Sequence, residues 1–141
     1  MGNGDNNMEK LEYGKRYELE RVDDLKRYQM SDKQRDEAIE TLNKKLEEDP
    51  DIKIYFSLAG SEHNYKWLQE QLEEIIRTRN GVMSAYDKQP DKDDEYITRY
   101  NRVIENYDKS IKNINLTLGE YERYFKEYGT YDIIIFSLIK E

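Results

Sequence analysis

Cysteine is absent from the 141 residues, which removes disulfides, thiolate nucleophiles, zinc ribbons and iron–sulfur ligation from consideration. Histidine occurs once, at His63, where a predicted helix starts; a surface or capping role suits it there, and one imidazole without an oriented serine builds no triad. Ser57 and Ser137 fall inside strand patterns, without the Gly-x-Ser-x-Gly elbow that would present a nucleophile. The seven glycines stand singly or in the opening "GNG", so neither a phosphate loop nor a dinucleotide fingerprint is present. The two prolines, Pro50 and Pro90, both sit at breaks between periodic segments.

Long apolar runs are missing too. Nothing approaches the roughly eighteen residues of a membrane span, and the first ten residues, "MGNGDNNMEK", lack the apolar centre of a signal peptide. Gly2 is followed by Asn6 where the myristoylation pattern requires Ser or Thr. Together with the missing cysteines, these features predict a soluble protein of the cytoplasm, and residues 1–10 read as a flexible tail.

A basic excess is the last absence. The net charge is -8, divided evenly between residues 1–60 and 61–141, and Lys and Arg alternate with acids in stretches such as "EEIIRTRN". Duplex phosphate binding needs cations concentrated on one face, so direct nucleic-acid binding is not expected. The acidic clusters "EEDPD" (47–51) and "DKDDE" (91–95) do not follow the calcium-loop pattern and suit helix termini, where carboxylates oppose the end dipole; no metal or other cofactor is expected.

What the chain does have is periodicity. Charged residues make up 38% and mean hydropathy is -1.11, yet the apolar residues recur at fixed spacing, which argues for folding over disorder. In "LEYGKRYELERV" (11–22), Leu11, Tyr13, Tyr17 and Leu19 alternate, predicting a short strand followed by a helical turn; a helix over 8–28 is the competing reading. Ser31 and Gln34 form a capping box ahead of the stripe Ala38, Ile39, Leu42 and Leu46, giving a helix over 32–48. "DIKIYFSL" alternates from Ile52 to Leu58 as a strand with one buried face.

From Ser61 the stripe at positions 65, 68, 72, 75, 79, 82 and 86 steps by three and four, with Arg79 its one polar member. After "DKQPDKDD" a second helix carries Ile97, Ile104, Ile111, Leu118 and Phe125 at one heptad position and Tyr100, Tyr107, Ile114, Tyr121 and Tyr128 three residues later. Two such helices joined by a short polar segment predict an antiparallel hairpin over 62–128. Thr117 and Glu120 resemble another capping box and Gly119 weakens a helix, so a bend or break is expected between Asn115 and Gly119; a helix continuing straight through, as the unbroken heptad phase suggests, is the competing reading. Gly129 ends the helix, and Ile133–Ile139, apolar on both faces, reads as a central strand antiparallel to the one before the hairpin.

The predicted fold is α+β: a two- or three-stranded antiparallel sheet with one packed helix and a projecting coiled-coil-like hairpin, all within a single domain over 11–141. Thirteen tyrosines suit a narrow, half-wet seam, because the ring buries while the hydroxyl still reaches water. Tyrosine and tryptophan also dominate protein interfaces, and Trp67, Arg99, Tyr100, Tyr107 and Tyr121 are the candidate partner-contact residues.

The expected function is a non-enzymatic module that binds a protein partner through the acidic hairpin. In small size, Asn-, Lys- and Tyr-rich composition and lack of a catalytic set, the chain resembles proteins of viruses or mobile elements that block host machinery, including anti-CRISPR inhibitors. A homodimer through hairpin or sheet edge is expected, since so small a core favours association. The alternatives are a structural homodimer of a virion or scaffold, and a nucleic-acid accessory protein using Arg77, Arg79, Arg99 and Arg102 beside stacking tyrosines.

Overall fold

The computed structural model describes residues 8–140. Their contacts divide the chain into two compact units, one formed by residues up to Glu62 together with those from Tyr121 onward, the other by His63–Glu120.

The first unit is organised around a strand with partners on both edges. β1 (Arg16–Leu19) and β3 (Ile133–Ile139) flank β2 (Lys53–Gly60), and both pair with it antiparallel. Alternation in β2 sends Ile54, Phe56 and Leu58 to one face, where Tyr17 and Leu19 of β1 and Ile134 and Phe136 of β3 join them in register. A 3-10 helix (Val22–Arg27) adds Val22 and Leu25 to this core, and the Tyr28 and Tyr17 rings pack on Phe56. The strand and helical turn predicted for 11–28 are both present. Glu9 belongs to the fold, its amide donating to the Arg27 carbonyl at 2.8 Å; of the tail expected over 1–10, residues 1–7 lie outside the described residues.

α1 (Asp32–Glu48) starts where the capping box requires. The Gln34 amide donates to Ser31 Oγ at 3.2 Å, while the Ser31 amide donates to Gln34 Oε1 at 3.1 Å. Ala38, Ile39, Leu42 and Leu46 all pack into the sheet core.

β3 corrects one expectation. It is an edge strand, because β2 takes the central place, paired with β3 from Lys53 to Gly60 on one side and with β1 over Ile54–Ser57 on the other. An apolar run on two faces suggested burial on both, but only the face carrying Ile134 contributes a buried side chain; on the other, Ile135 is 50% exposed and Ile133 and Ile139 are half-buried.

In the second unit, α2 (Glu62–Lys88) and the first part of α3 (Asp94–Tyr128) meet through side chains near the connecting segment. Asp93 caps α3, its Oδ1 accepting from the Tyr96 amide at 2.7 Å. The Tyr86 ring stacks on Tyr100 with centroids 3.7 Å apart and lies parallel to Tyr96 at 5.7 Å. Arg79, the odd member of the α2 stripe, donates from Nε to Asp108 Oδ1 at 2.7 Å. Position 79 meets 108 and position 86 meets 100, so the contacts run in opposite chain directions, as an antiparallel pair requires.

α3 is one uninterrupted helix, and the break expected at Asn115–Gly119 is absent. Thr117 does not cap; its hydroxyl donates to the Asn113 carbonyl at 3.1 Å, the bond a threonine makes inside a helix. The heptad phase prevails because it buries Leu118 and Tyr121 on either side of Gly119, and two such side chains outweigh the roughly 1 kcal/mol helix penalty of glycine. The helix stops at Gly129, whose φ of +71° and amide bond to the Phe125 carbonyl at 2.7 Å form a left-handed cap.

Candidate functional site

The residues singled out from sequence do not converge on one point. Trp67 lies on α2, 52% exposed, and Arg99 is exposed on α3. Because Tyr86 stacks on Tyr100, Arg99 is near the connected end of the pair and Trp67 toward the other, separated by about 28 Å of helical rise. Tyr100 is half-buried beneath Tyr86, and its hydroxyl is raised above the ordinary tyrosine range, first by that burial and then by the Asp87 carboxylate. Tyr107 is half-buried on α3.

Tyr121 leaves the contact set. It is 5% exposed and packs against β2 at Gly60, where a Cβ would fall 2.7 Å from the Tyr121 hydroxyl. Burial, not partner contact, explains a tyrosine at that heptad position, and Gly60 is the signal: only glycine leaves room for the ring.

The α2 stripe has an unusual exposure pattern. Tyr65, Leu68, Leu72, Ile75, Arg79, Val82 and Tyr86 are all half-buried, and none of the 27 residues of α2 is fully buried. The seam excludes water only in part.

A second arrangement in the first unit was not legible from spacing. Gln34, 5% exposed, donates from Nε2 to Tyr124 Oη at 2.6 Å and to the Asp132 carbonyl at 2.8 Å while its Oε1 holds the Ser31 amide. One side chain thus joins the start of α1, the last turns of α3 and the approach to β3. Beside it is a cleft of about 270 Å³ lined by Glu37, Thr41, Tyr124, Tyr128, Phe136 and Leu138 among others. The Tyr128 hydroxyl donates to the Glu37 carboxylate, which, with partial burial, pushes its pKa up to about 12. Lys33 closes the rim, 2.8 Å from Glu127 and 4.0 Å from Glu37. Tyr124 is also raised, by burial first, with hydrogen bonds from the Ile134 amide and Gln34 acting against it.

These directions matter chemically. A tyrosine serving as base or nucleophile needs its pKa lowered toward neutrality, and both phenols in the cleft are held protonated. The volume is just under the roughly 300–1,000 Å³ of ordinary ligand pockets, and Gln34, Glu37, Tyr124 and Tyr128 already have hydrogen-bond or ion-pair partners within the protein. The cleft is therefore a clamp between elements. Among the described residues no group of three or more acidic or histidine side chains is placed to hold a metal ion, and no helix is long and apolar enough to cross a membrane. His63 is exposed in the first turn of α2.

Comparison with known proteins finds no family model that matches the sequence, no similar curated protein and no matching solved structure.

Proposed function

We propose that the chain is a non-enzymatic protein-binding module whose contact surface is the acidic, tyrosine-rich unit of α2 and α3. The observation that carries this reading is the half-covered stripe of α2: seven seam residues, six of them apolar or aromatic, with none fully buried. Two helices alone cannot close such a seam. An amphipathic helix of a partner, laid along the groove, completes it.

The offset set by Tyr86 and Tyr100, carried along both helices, brings Val82 level with Ile104, Ile75 with Ile111, Leu72 with Ile114 and Leu68 with Leu118. An apolar groove about 25 Å long results, on the order of five turns of helix, crossed midway by the Arg79–Asp108 ion pair. Trp67 and Arg99 mark its ends, with Tyr100 and Tyr107 along the wall. Tryptophan and arginine are the residue types most often found as interface anchors. In the form the composition favours, the partner belongs to host machinery in the cytoplasm and is blocked by a small viral or mobile-element protein.

Affinity capture from host-cell lysate tests this, comparing the wild type with Trp67→Ala/Arg99→Glu. A protein retained by the wild type and lost from the variant, while circular dichroism shows both folded, is the expected result. Equal capture by both, or recovery of nucleic acid alone, contradicts it.

A further inference from the structure

The two edges of the sheet are treated differently. β1 is four residues long and exposes Arg16 and Glu18, the short charged form that discourages pairing with another chain. β3 has seven residues, Ile-Ile-Ile-Phe-Ser-Leu-Ile, with no charge and no proline, and the bulge near its start lies on β2, between Leu58 and Gly60. Its open edge has none of the usual protections. The face turned away from α1 is apolar as well: it carries Ile133, Ile135 and Ile139, of which Ile135 is 50% exposed and the other two are half-buried.

The strand is complementary to itself. Set antiparallel to a second copy about a two-fold axis through Phe136, Ile133 faces Ile139, Ile134 faces Leu138 and Ile135 faces Ser137. The residues just outside are charged, and in this register Asp132 of each copy meets Lys140 of the other. Moving the register by two places either way, which keeps the faces matched, puts Asp132 against Leu138 or Lys140 against Ile134. Lys140 has its side chain 74% exposed and only a 3.4 Å pair with Asp49 within its own chain, so it can serve both carboxylates.

We propose that β3 pairs with β3 of a second copy of this chain, antiparallel about Phe136, to make one continuous six-stranded sheet. About six to eight backbone hydrogen bonds form across the junction. On the face turned away from α1 the isoleucines of the two copies meet at the centre, and Arg16, Glu18 and Lys53 lie outward on each side. This is the apolar core and polar rim of a protein interface. The contact is isologous and closes on itself, so the exposed edges are used up by dimerisation and not extended into fibres. The proposal involves only the sheet unit and is independent of partner binding by α2 and α3.

Sedimentation velocity across a concentration series tests it on the full chain. The wild type runs as two chains, and Ile135→Lys as one. Asp132→Lys and Lys140→Asp each weaken the dimer roughly tenfold, because two attractive pairs become repulsive, and combining them in one chain restores the wild-type constant. A wild type that stays monomeric overturns the proposal, as does a dimer indifferent to Ile135→Lys or a double reversal weaker than either single one.

Disulfide trapping checks the register without relying on those variants, since the chain has no cysteine of its own. Ile135→Cys mixed with Ser137→Cys gives a cross-linked pair under mild oxidation, the facing Cα atoms being about 4.5–5.5 Å apart. Either variant alone does not, its own cysteines being diagonal neighbours about 7–8 Å apart. Cross-linking of Ile135→Cys with itself refutes the register.

Discussion

Replacing Gln34 by Met keeps the length and volume of the side chain and removes three hydrogen bonds at once. The bonds lost are those to Tyr124 Oη at 2.6 Å, to the Asp132 carbonyl at 2.8 Å and from the Ser31 amide at 3.1 Å. A neutral hydrogen bond contributes about 0.5–1.5 kcal/mol, and a buried partner left unpaired costs about 1–3 kcal/mol. Ser31 is at the helix start, where water replaces the lost acceptor, so the loss comes mainly from Tyr124 and Asp132. The expected destabilisation is ~2–3 kcal/mol, partly offset by the thioether's better transfer into an apolar site. For a chain of this size that corresponds to a fall of about 6–12 °C in the melting midpoint.

Urea unfolding followed by far-ultraviolet circular dichroism gives the free energy, and a double-mutant cycle with Tyr124→Phe isolates the 2.6 Å contact. A coupling of about 1 kcal/mol is expected between the two sites. If Gln34→Met moves the midpoint by less than about 2 °C, or the two substitutions are simply additive, Gln34 is not the tie between α1, α3 and β3 described above.

Gly60→Ala drives a methyl group into the Tyr121 ring, 2.7–2.9 Å from its nearest atoms, and should cost about 1–3 kcal/mol in chemical denaturation; adding Tyr121→Leu recovers part of the loss. Tyr128→Phe removes the hydroxyl that Glu37 holds, with a loss of about 1 kcal/mol at neutral pH. Because the Tyr128 pKa rises on folding from 10.0 to about 12, the folded chain keeps a proton that the unfolded chain has released. That stability is complete below pH 10.0 and disappears as pH rises to about 12, so unfolding curves over this window should fall more steeply for the wild type than for Tyr128→Phe. Ile104→Asp with Ile111→Asp places two carboxylates in the half-buried seam of α3; helical circular dichroism should drop and the midpoint fall by several degrees, while an unchanged spectrum would mean that the seam carries no packing.

Features fixed by neighbouring residues were legible in the sequence. Ser31 and Gln34 are three positions apart and announce α1; Ile54, Phe56 and Leu58 announce the buried face of β2; Pro90 and the acids after it announce the start of α3. Features fixed across the chain were not. A threonine followed three places later by glutamate is the same string whether Thr117 caps a new helix or bonds back to Asn113, and only the burial of Leu118 and Tyr121 decides. Gln34 reads as a capping residue, which it is, yet its amide nitrogen acts on Tyr124 and on Asp132, 90 and 98 positions away. An unbroken apolar strand such as β3 states that it needs cover without stating which edge or face receives it from its own chain. Tyr121 looked like a contact residue because tyrosine suits both interfaces and cores, and the glycine that makes room for it comes from another element.

The strand order carries a cost during synthesis. β2 leaves the ribosome about seventy residues before β3, and its partner edge stays open meanwhile. At about 5–20 residues per second, that interval lasts from a few seconds to more than ten. Nascent chains bearing Ile54, Phe56 and Leu58 are then able to pair with one another on a crowded polysome. The intervening residues coil into α2 and α3 within microseconds, drawing in the slack and shortening the search that β3 must make when it emerges.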